Sequence, residues 1–332
     1  MSKNPGLLSA PVRVFWELGL KSGVSRERAF RTAEELIALK VFYVTIRPAD
    51  GQSARLAAEL IEKSSRFAHI TLSVASPDAF PGQGKTVGIK ALDIYNFPAG
   101  RLQESTTILK NAPAGVALSV TAVPEKGKLD GLLEIIREGL ALGIKIFSLA
   151  NPNLVNIHCS GADKPVPPSP SGGEAVSRFI LGKSDREYLK RGLEALFAPH
   201  GDEARLLVHD LFLHEALNLP GLGRAEYAGC QAGDAIAFIA ADGTVYPCAT
   251  LPLPLGNING ESLKDIWAGA ARRKLRAEIE ALPGVCAACG LSARCLGACR
   301  GLAFASGGFG LPDPSCGRDE QSGGSVPGEK AS

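Results

Sequence analysis

Long apolar runs are missing from this sequence. No segment reaches the roughly 20 uninterrupted apolar residues that a membrane-spanning helix needs. The first twenty residues are broken by Pro5, Pro11, Arg13 and Glu17, which excludes a secretory signal core and an N-terminal membrane anchor. An excess of one charge is missing too. The formal net charge is +2, from 36 basic and 34 acidic residues, which argues against nucleic acid or an anionic membrane as the main partner. Arg272-Arg273-Lys274 lies beside Glu278 and Glu280 and reads as a solvated helix face. The expected compartment is the cytoplasm.

Cysteine is scarce where a barrel enzyme would use it and abundant elsewhere. Of eight cysteines, only Cys159 precedes Cys230. The stretch VFWELGLKSGVSRERAF, Val14 to Phe30, looks like a strand feeding the loop of a βα unit, yet that loop holds no cysteine, no histidine and no acid before Glu27. The other seven are Cys230, Cys248, Cys286, Cys289, Cys295, Cys299 and Cys316. Cytoplasmic thiols are kept reduced, so a disulfide framework is not expected, and clustered cysteines there point to metal. Cys159, beside His158, stands apart and reads as an ordinary thiol, with a missing ligand or a reactive group as the sharper alternative. His69, His158, His200, His209 and His214 show no metal-ligand spacing.

At 332 residues and 45% hydrophobic content the chain suits one large domain, or a large and a small one. Short β-rich runs alternate with helical periodicity. Strands are expected at 12–18, 41–46, 69–74, 92–95, 116–123, 145–149 and 204–211. Helices are expected after Ser25, at 54–63, near 101–110, from Asp130 with Leu132, Leu133, Ile136 and Leu140 buried, and at 184–197. Repeated βα units predict an α/β fold with a parallel sheet and outer helices, open or closed as a barrel. In such folds chemistry sits at the C-terminal strand ends. Residues 163–173, DKPVPPSPSGG, read as a linker. Asp242-Gly243 marks a hairpin, and Ser262 caps a helix burying Leu263, Ile266 and Trp267. The boundaries implied are a barrel over 1–215, a cysteine-rich domain over 216–321 and a polar tail over 322–332.

The cysteine spacing is specific. Twelve residues separate Cys230 from Gly243 and four separate Gly243 from Cys248; then come Cys286-x2-Cys289-x5-Cys295-x3-Cys299, and Cys316 after sixteen more. The local spacing alone also suits structural zinc. The whole pattern resembles the SPASM domain, the C-terminal extension of radical S-adenosylmethionine enzymes that modify peptides and proteins. The resemblance implies a degenerate radical-SAM-like partial (β/α) barrel followed by a small iron–sulfur SPASM domain. It also implies two auxiliary [4Fe–4S] clusters. One would be held by Cys230, Cys248 and Cys299, the other by Cys286, Cys289, Cys295 and Cys316. The fourth position of the first cluster stays open, or is filled by Asp234, Asp242, a remote residue or a bound molecule.

Radical enzymes of this kind carry Cys-x3-Cys-x2-Cys in the loop after the first strand. Here those three positions fall on Ser22, Arg26 and Ala29, and the motif occurs nowhere else. The Gly-Gly-Glu-Pro-like turn after the second strand is replaced by Ile46-Arg47-Pro48-Ala49-Asp50-Gly51. S-adenosylmethionine is therefore not an expected cofactor. The combination is similar to the SPASM-domain proteins of GeoRSP-type systems, which accompany an intact radical SAM/SPASM enzyme and a PqqD-like peptide-binding protein. The implied function is a non-catalytic iron–sulfur partner in peptide or protein maturation, by electron transfer or substrate anchoring. Two other readings stand beside it: an enzyme with a diverged activity at the barrel mouth or open iron, and a scaffold stapled by metal.

Overall fold

The computed structural model describes residues 7–20, 23–82, 86–98, 100–158, 176–219 and 229–316. Cys159, Ser22, the 163–173 linker and the 322–332 tail therefore lie outside the described residues.

Seven parallel strands pair in chain order: β1 (Arg13–Leu18), β2 (Tyr43–Pro48), β3 (His69–Val74), β4 (Ala91–Tyr95), β5 (Ala117–Ala122), β6 (Ile146–Leu149) and β7 (Arg205–Val208). Their period-two pattern sets the two faces. In β1, Val14, Trp16 and Leu18 are buried under the helices, while Phe15 and Glu17 point to the other face. Toward the C-terminal ends of the strands that other face is polar: Glu17, Arg47, Ser73, Asp93, Tyr95, Ser119 and Thr121 occupy it.

The helices of this part of the chain are α1 (Arg26–Ala38), α2 (Gly51–Ser64), α3 (Thr106–Lys110), α4 (Leu129–Ala141), α5 (Leu154–His158), α6 (Lys183–Phe197) and α7 (Leu211–Leu217), of which α5 lies toward the other face, with Val155 beside Phe15. Ser25 caps α1 by accepting a bond from the Arg28 amide, as the sequence indicates. The single helix expected near 101–110 is a 3-10 turn over Leu102–Ser105 followed by α3. Leu140 is only half-buried on α4. The last expected strand stops at Val208, because Asp210 turns the chain by capping α7.

The cysteine-rich segment extends the same sheet. β8 (Ile236–Ile239) pairs parallel to β1, with Arg13 opposite Ile236. The hairpin to β9 (Thr244–Tyr246) turns at Gly243, whose φ of +86° is one that glycine adopts freely. Among the described residues β10 (Gly256–Asn257) completes ten strands, with β7 and β10 at the two edges of an open sheet. Five helices follow: α8 (Leu263–Ala268), α9 (Ala270–Glu280), α10 (Gly284–Ala287), α11 (Ser292–Cys295) and α12 (Arg300–Ala305). Leu263 N donates to Glu35 Oε2 at 2.5 Å, tying α8 to α1. Trp267 is fully buried, and its Nε1 donates to Leu8 O at 3.2 Å.

The solvated face expected on α9 forms at Arg273, Lys274, Glu278 and Glu280, which are exposed, but not at Arg272. Arg272 and Arg276 are buried, at 4% and 7% exposure. Arg272 donates to Gly233 O and Leu8 O, and Arg276 to Cys230 O and Ala232 O. Backbone carbonyls that no strand satisfies are paired by these guanidinium forks instead. Among the described residues no helix is long and apolar enough to cross a membrane.

Candidate metal centre

The seven cysteines come from separated loops, and the electrostatic influences that thiols exert on Cys248, Cys299 and Cys286 run within two sets. Cys230 precedes the turn into β8, and its carbonyl is held by Arg276 Nη1 at 2.7 Å. Cys248 follows β9 in a short antiparallel bridge with Leu251. Cys299 is the N-cap of α12, and its amide donates to Asp313 Oδ2 at 2.7 Å. Each cysteine keeps some contact with solvent, yet Cys248 and Cys299 lie deep enough for burial to dominate their ionisation. Burial, with Cys230 nearby, pushes the Cys248 thiol up to about 12. Cys299 is raised well above its usual range by burial, then Asp313, then Cys230 and Cys248.

The second group gathers around Cys286 on α10. Burial raises its thiol, Arg300 opposes the rise, and the nearby thiols Cys295, Cys316 and Cys289 add to it. Cys289 Sγ accepts from Leu291 N at 3.4 Å. Cys295 ends α11, and Cys316 lies in a 3-10 turn over Pro314–Cys316.

Cys295 and Cys299 are four residues apart, which on a regular helix would put both thiols on one face. Cys295 acts on Cys286 while Cys299 is acted on by Cys230 and Cys248, and the chain between the two leaves the helix. Leu296, Gly297 and Ala298 have φ values of 48°, 78° and 48°. Three successive left-handed residues turn the backbone, at a cost of order 1–3 kcal/mol for each non-glycine. That cost falls between the two thiol groups and nowhere else in the cysteine-rich segment from Gly243 onward among non-glycine residues.

Two buried arginines, Arg276 and Arg300, lie beside the thiols. Arg300 is fully buried and donates to Leu311 O at 3.0 Å and to Phe309 O. Cys286, Cys230 and Cys299 all act on its charge, so it stands within electrostatic reach of both groups. The Nε atoms of Arg272, Arg276 and Arg300 are buried with no hydrogen-bond partner among the described residues. Thiol donors with orphaned guanidinium nitrogens suit an anionic group such as a thiolate-ligated cluster. No three His, Cys, Asp or Glu side chains among the described residues are set to hold a single metal ion.

The two acids suggested for the open position are engaged elsewhere. Asp234 Oδ1 accepts from Leu8 N at 3.0 Å. Asp242 closes the β8–β9 turn by accepting from Thr244 N and Oγ1. Sequence reasoning missed the residue that does reach this group: Asn151 Nδ2 donates to Cys299 Sγ at 3.5 Å. Asn151 opens the loop after β6, which is bound to the Cys248 loop by Thr250 Oγ1 to Pro152 O at 3.0 Å and Val155 N to Ala249 O at 3.1 Å.

The same loop reaches the barrel mouth. Asn153 and Asn156 donate to Glu17 at 3.1–3.2 Å, and Arg47 Nη1 pairs with Glu17 at 3.2 Å. Arg47 lies 3.4 Å over the Tyr95 ring. Asp93 accepts from Ser73, Ser119 and Thr121, and burial raises its carboxyl above the usual range despite these bonds. Arg26 sits at the start of α1, exposed and paired with Glu59. Ala29 is fully buried in the core. Pro48 ends β2, and Asp50 caps α2 through Ser53 N at 2.8 Å.

Residues 230–290 match the family model described as SPASM, an iron-sulfur cluster-binding domain. The chain carries a SPASM domain. The matched residues include Cys230, Cys248, Cys286 and Cys289, and the other three thiols follow them. An AdoMet-dependent heme synthase of Methanosarcina barkeri (strain Fusaro / DSM 804) is 39% identical over 90 residues, 26% of this chain and 25% of that protein. The match thus spans about a quarter of that curated relative. SuiB of Streptococcus suis bound to precursor peptide SuiA superposes with a TM-score of 0.64 at 15% identity, over 92% of this chain and 76% of that one. Native anSMEcpe with bound AdoMet gives 0.60 at 12% identity, over 93% and 95%. At such identities the likeness is one of fold: a radical-SAM-like partial barrel followed by the SPASM domain.

Proposed function

We propose that this chain is an iron–sulfur protein that binds two [4Fe–4S] clusters and works beside a radical S-adenosylmethionine enzyme rather than as one. What supports the cluster reading is the SPASM match over residues 230–290, together with thiols that act on one another as a set of three and a set of four on either side of Leu296–Ala298. Cys230, Cys248 and Cys299 would hold one cluster and Cys286, Cys289, Cys295 and Cys316 the other. Unloaded, the deeper cysteines stay protonated at neutral pH, so loading takes protons off them. The clusters would supply one-electron chemistry or an anchoring iron. A reducing, cytoplasmic setting suits free thiols of this kind.

The partner reading rests on the first-strand loop. Ser22, Arg26 and Ala29 offer no thiolate for a third cluster, and position 29 points into the core. SuiB is solved both with a precursor peptide and with S-adenosylmethionine. By analogy of fold, a peptide or protein is the substrate class on which a partner radical enzyme would act, with a PqqD-like protein presenting it. The test has two arms. Reconstituted, reduced protein should release no 5′-deoxyadenosine from S-adenosylmethionine above a no-protein control. Anaerobic co-expression with a radical SAM/SPASM enzyme and a PqqD-like protein encoded beside it should give a complex whose turnover depends on this chain. Release of 5′-deoxyadenosine, or turnover indifferent to this chain, would overturn the partner role.

A further inference from the structure

In a parallel sheet every strand begins on one edge, and here that edge carries an unusual surface. Among the described residues, three of the four most exposed large apolar side chains stand on it: Val87 at 70%, Phe42 at 65% and Phe67 at 63%. They are neighbours through the backbone. His69 N donates to Phe42 O at 2.7 Å, and the Tyr43 and His69 rings lie 5.5 Å apart. The turn holding Val87 packs on the turn before β3, since a Cβ on Gly88 would come within 2.6 Å of Ser65. Folding does not require this exposure; leaving apolar area in water forgoes about 25 cal/mol per Å².

The charge around these rings has one sign. The turns leading into β2 through β6 contain Lys40, Arg66, Lys90 and Lys145 and neither Asp nor Glu. Lys145 is paired with Glu203, whereas Lys40, Arg66 and Lys90 are exposed and enter no ion pair among the described residues. Aromatic rings and arginine are enriched at protein-binding surfaces, and exposed cations around them steer a partner of opposite charge. A second copy of the same edge would bring like charges together, which disfavours a symmetric dimer here. A net charge of +2 is too small for a nucleic-acid footprint.

We propose that this edge docks an acidic segment of a partner protein, whose apolar side chains cover Phe42, Phe67 and Val87 while its carboxylates meet Lys40, Arg66 and Lys90. The surface has this character whether or not the thiols carry clusters, so its test is separate from that of the metal reading. The probe is a labelled synthetic peptide alternating Glu with Phe and Leu, titrated into the full chain by fluorescence anisotropy. A peptide with Lys in place of Glu and an oligouridine serve as comparators. The acidic peptide is expected to bind. The double variants Phe42→Ser/Phe67→Ser and Lys40→Glu/Arg66→Glu should each weaken it by about tenfold or more. All four side chains are exposed, so circular dichroism and iron content should stay as in the parent. Four results would overturn the proposal: no binding of the acidic peptide, equal binding by the variants, preference for oligouridine, or a dimer of the chain that the serine variant dissolves.

Discussion

Asn151 Nδ2 lies 3.5 Å from Cys299 Sγ, so a barrel loop touches a thiol of the SPASM domain. A hydrogen bond to a ligating sulfur draws electron density from it and favours the reduced cluster. Replacing Asn151 with Leu is expected to lower the midpoint potential of one cluster by on the order of tens of millivolts. Iron content and the other cluster's potential should not move, and Asn151→Gln should recover part of the shift. Redox titration followed by electron paramagnetic resonance reads all three.

Arg300 links the two thiol groups electrostatically. Its removal in Arg300→Leu leaves the carbonyls of Leu311 and Phe309 without their donor and takes away the cation nearest both groups. An expected loss of about 2–4 kcal/mol follows from unpaired buried acceptors. Urea unfolding of the cluster-free protein measures it, and both clusters should also become easier to strip with a chelator.

Gly297 carries the turn that separates Cys295 from Cys299. At φ +78° an alanine is strained, and its Cβ would meet Leu282 Cδ2 at 2.7 Å. Gly297→Ala should cost roughly 1–3 kcal/mol and reduce iron loading. Gly290→Ala makes a control, because a Cβ there meets nothing within 4 Å.

Asp93 gives the barrel a pH dependence. Burial raises its carboxyl above the ordinary 3.8, so the folded state holds a proton that the unfolded chain releases. Its stabilising effect is complete below 3.8 and is lost as pH rises through the folded value. Stability of the parent should therefore fall with pH in that window, and Asp93→Asn should flatten the slope. Thermal melts across a pH series on the cluster-free chain compare the two.

Much of the fold was legible because the signals were local. The β3 range of His69–Val74, the Ser25 and Ser262 caps and the Asp242-Gly243 hairpin follow from neighbouring residues. The pairing of β8 with β1 joins residues more than two hundred positions apart and leaves no local trace. Arg272 was misread, and Arg276 not singled out, because a basic side chain on a helix looks the same whether it meets water or unsatisfied carbonyls. The proposed cysteine grouping comes from the family resemblance and not from local spacing. Spacing by itself would have put Cys295 and Cys299 on one helix face, and only Gly297 hints at the turn that parts them. Asn151 carried no signal at all, since a single asparagine after a strand is ordinary loop chemistry.

The central claim is that seven cysteines hold two four-iron clusters. Iron and acid-labile sulfide, measured per chain after anaerobic reconstitution, test it most directly. The expected result is about eight of each in the parent and about four of each in a variant with Cys286, Cys289, Cys295 and Cys316 changed to Ala. A colourless parent protein containing zinc and no sulfide, or a variant that keeps the parent's full iron, would contradict it.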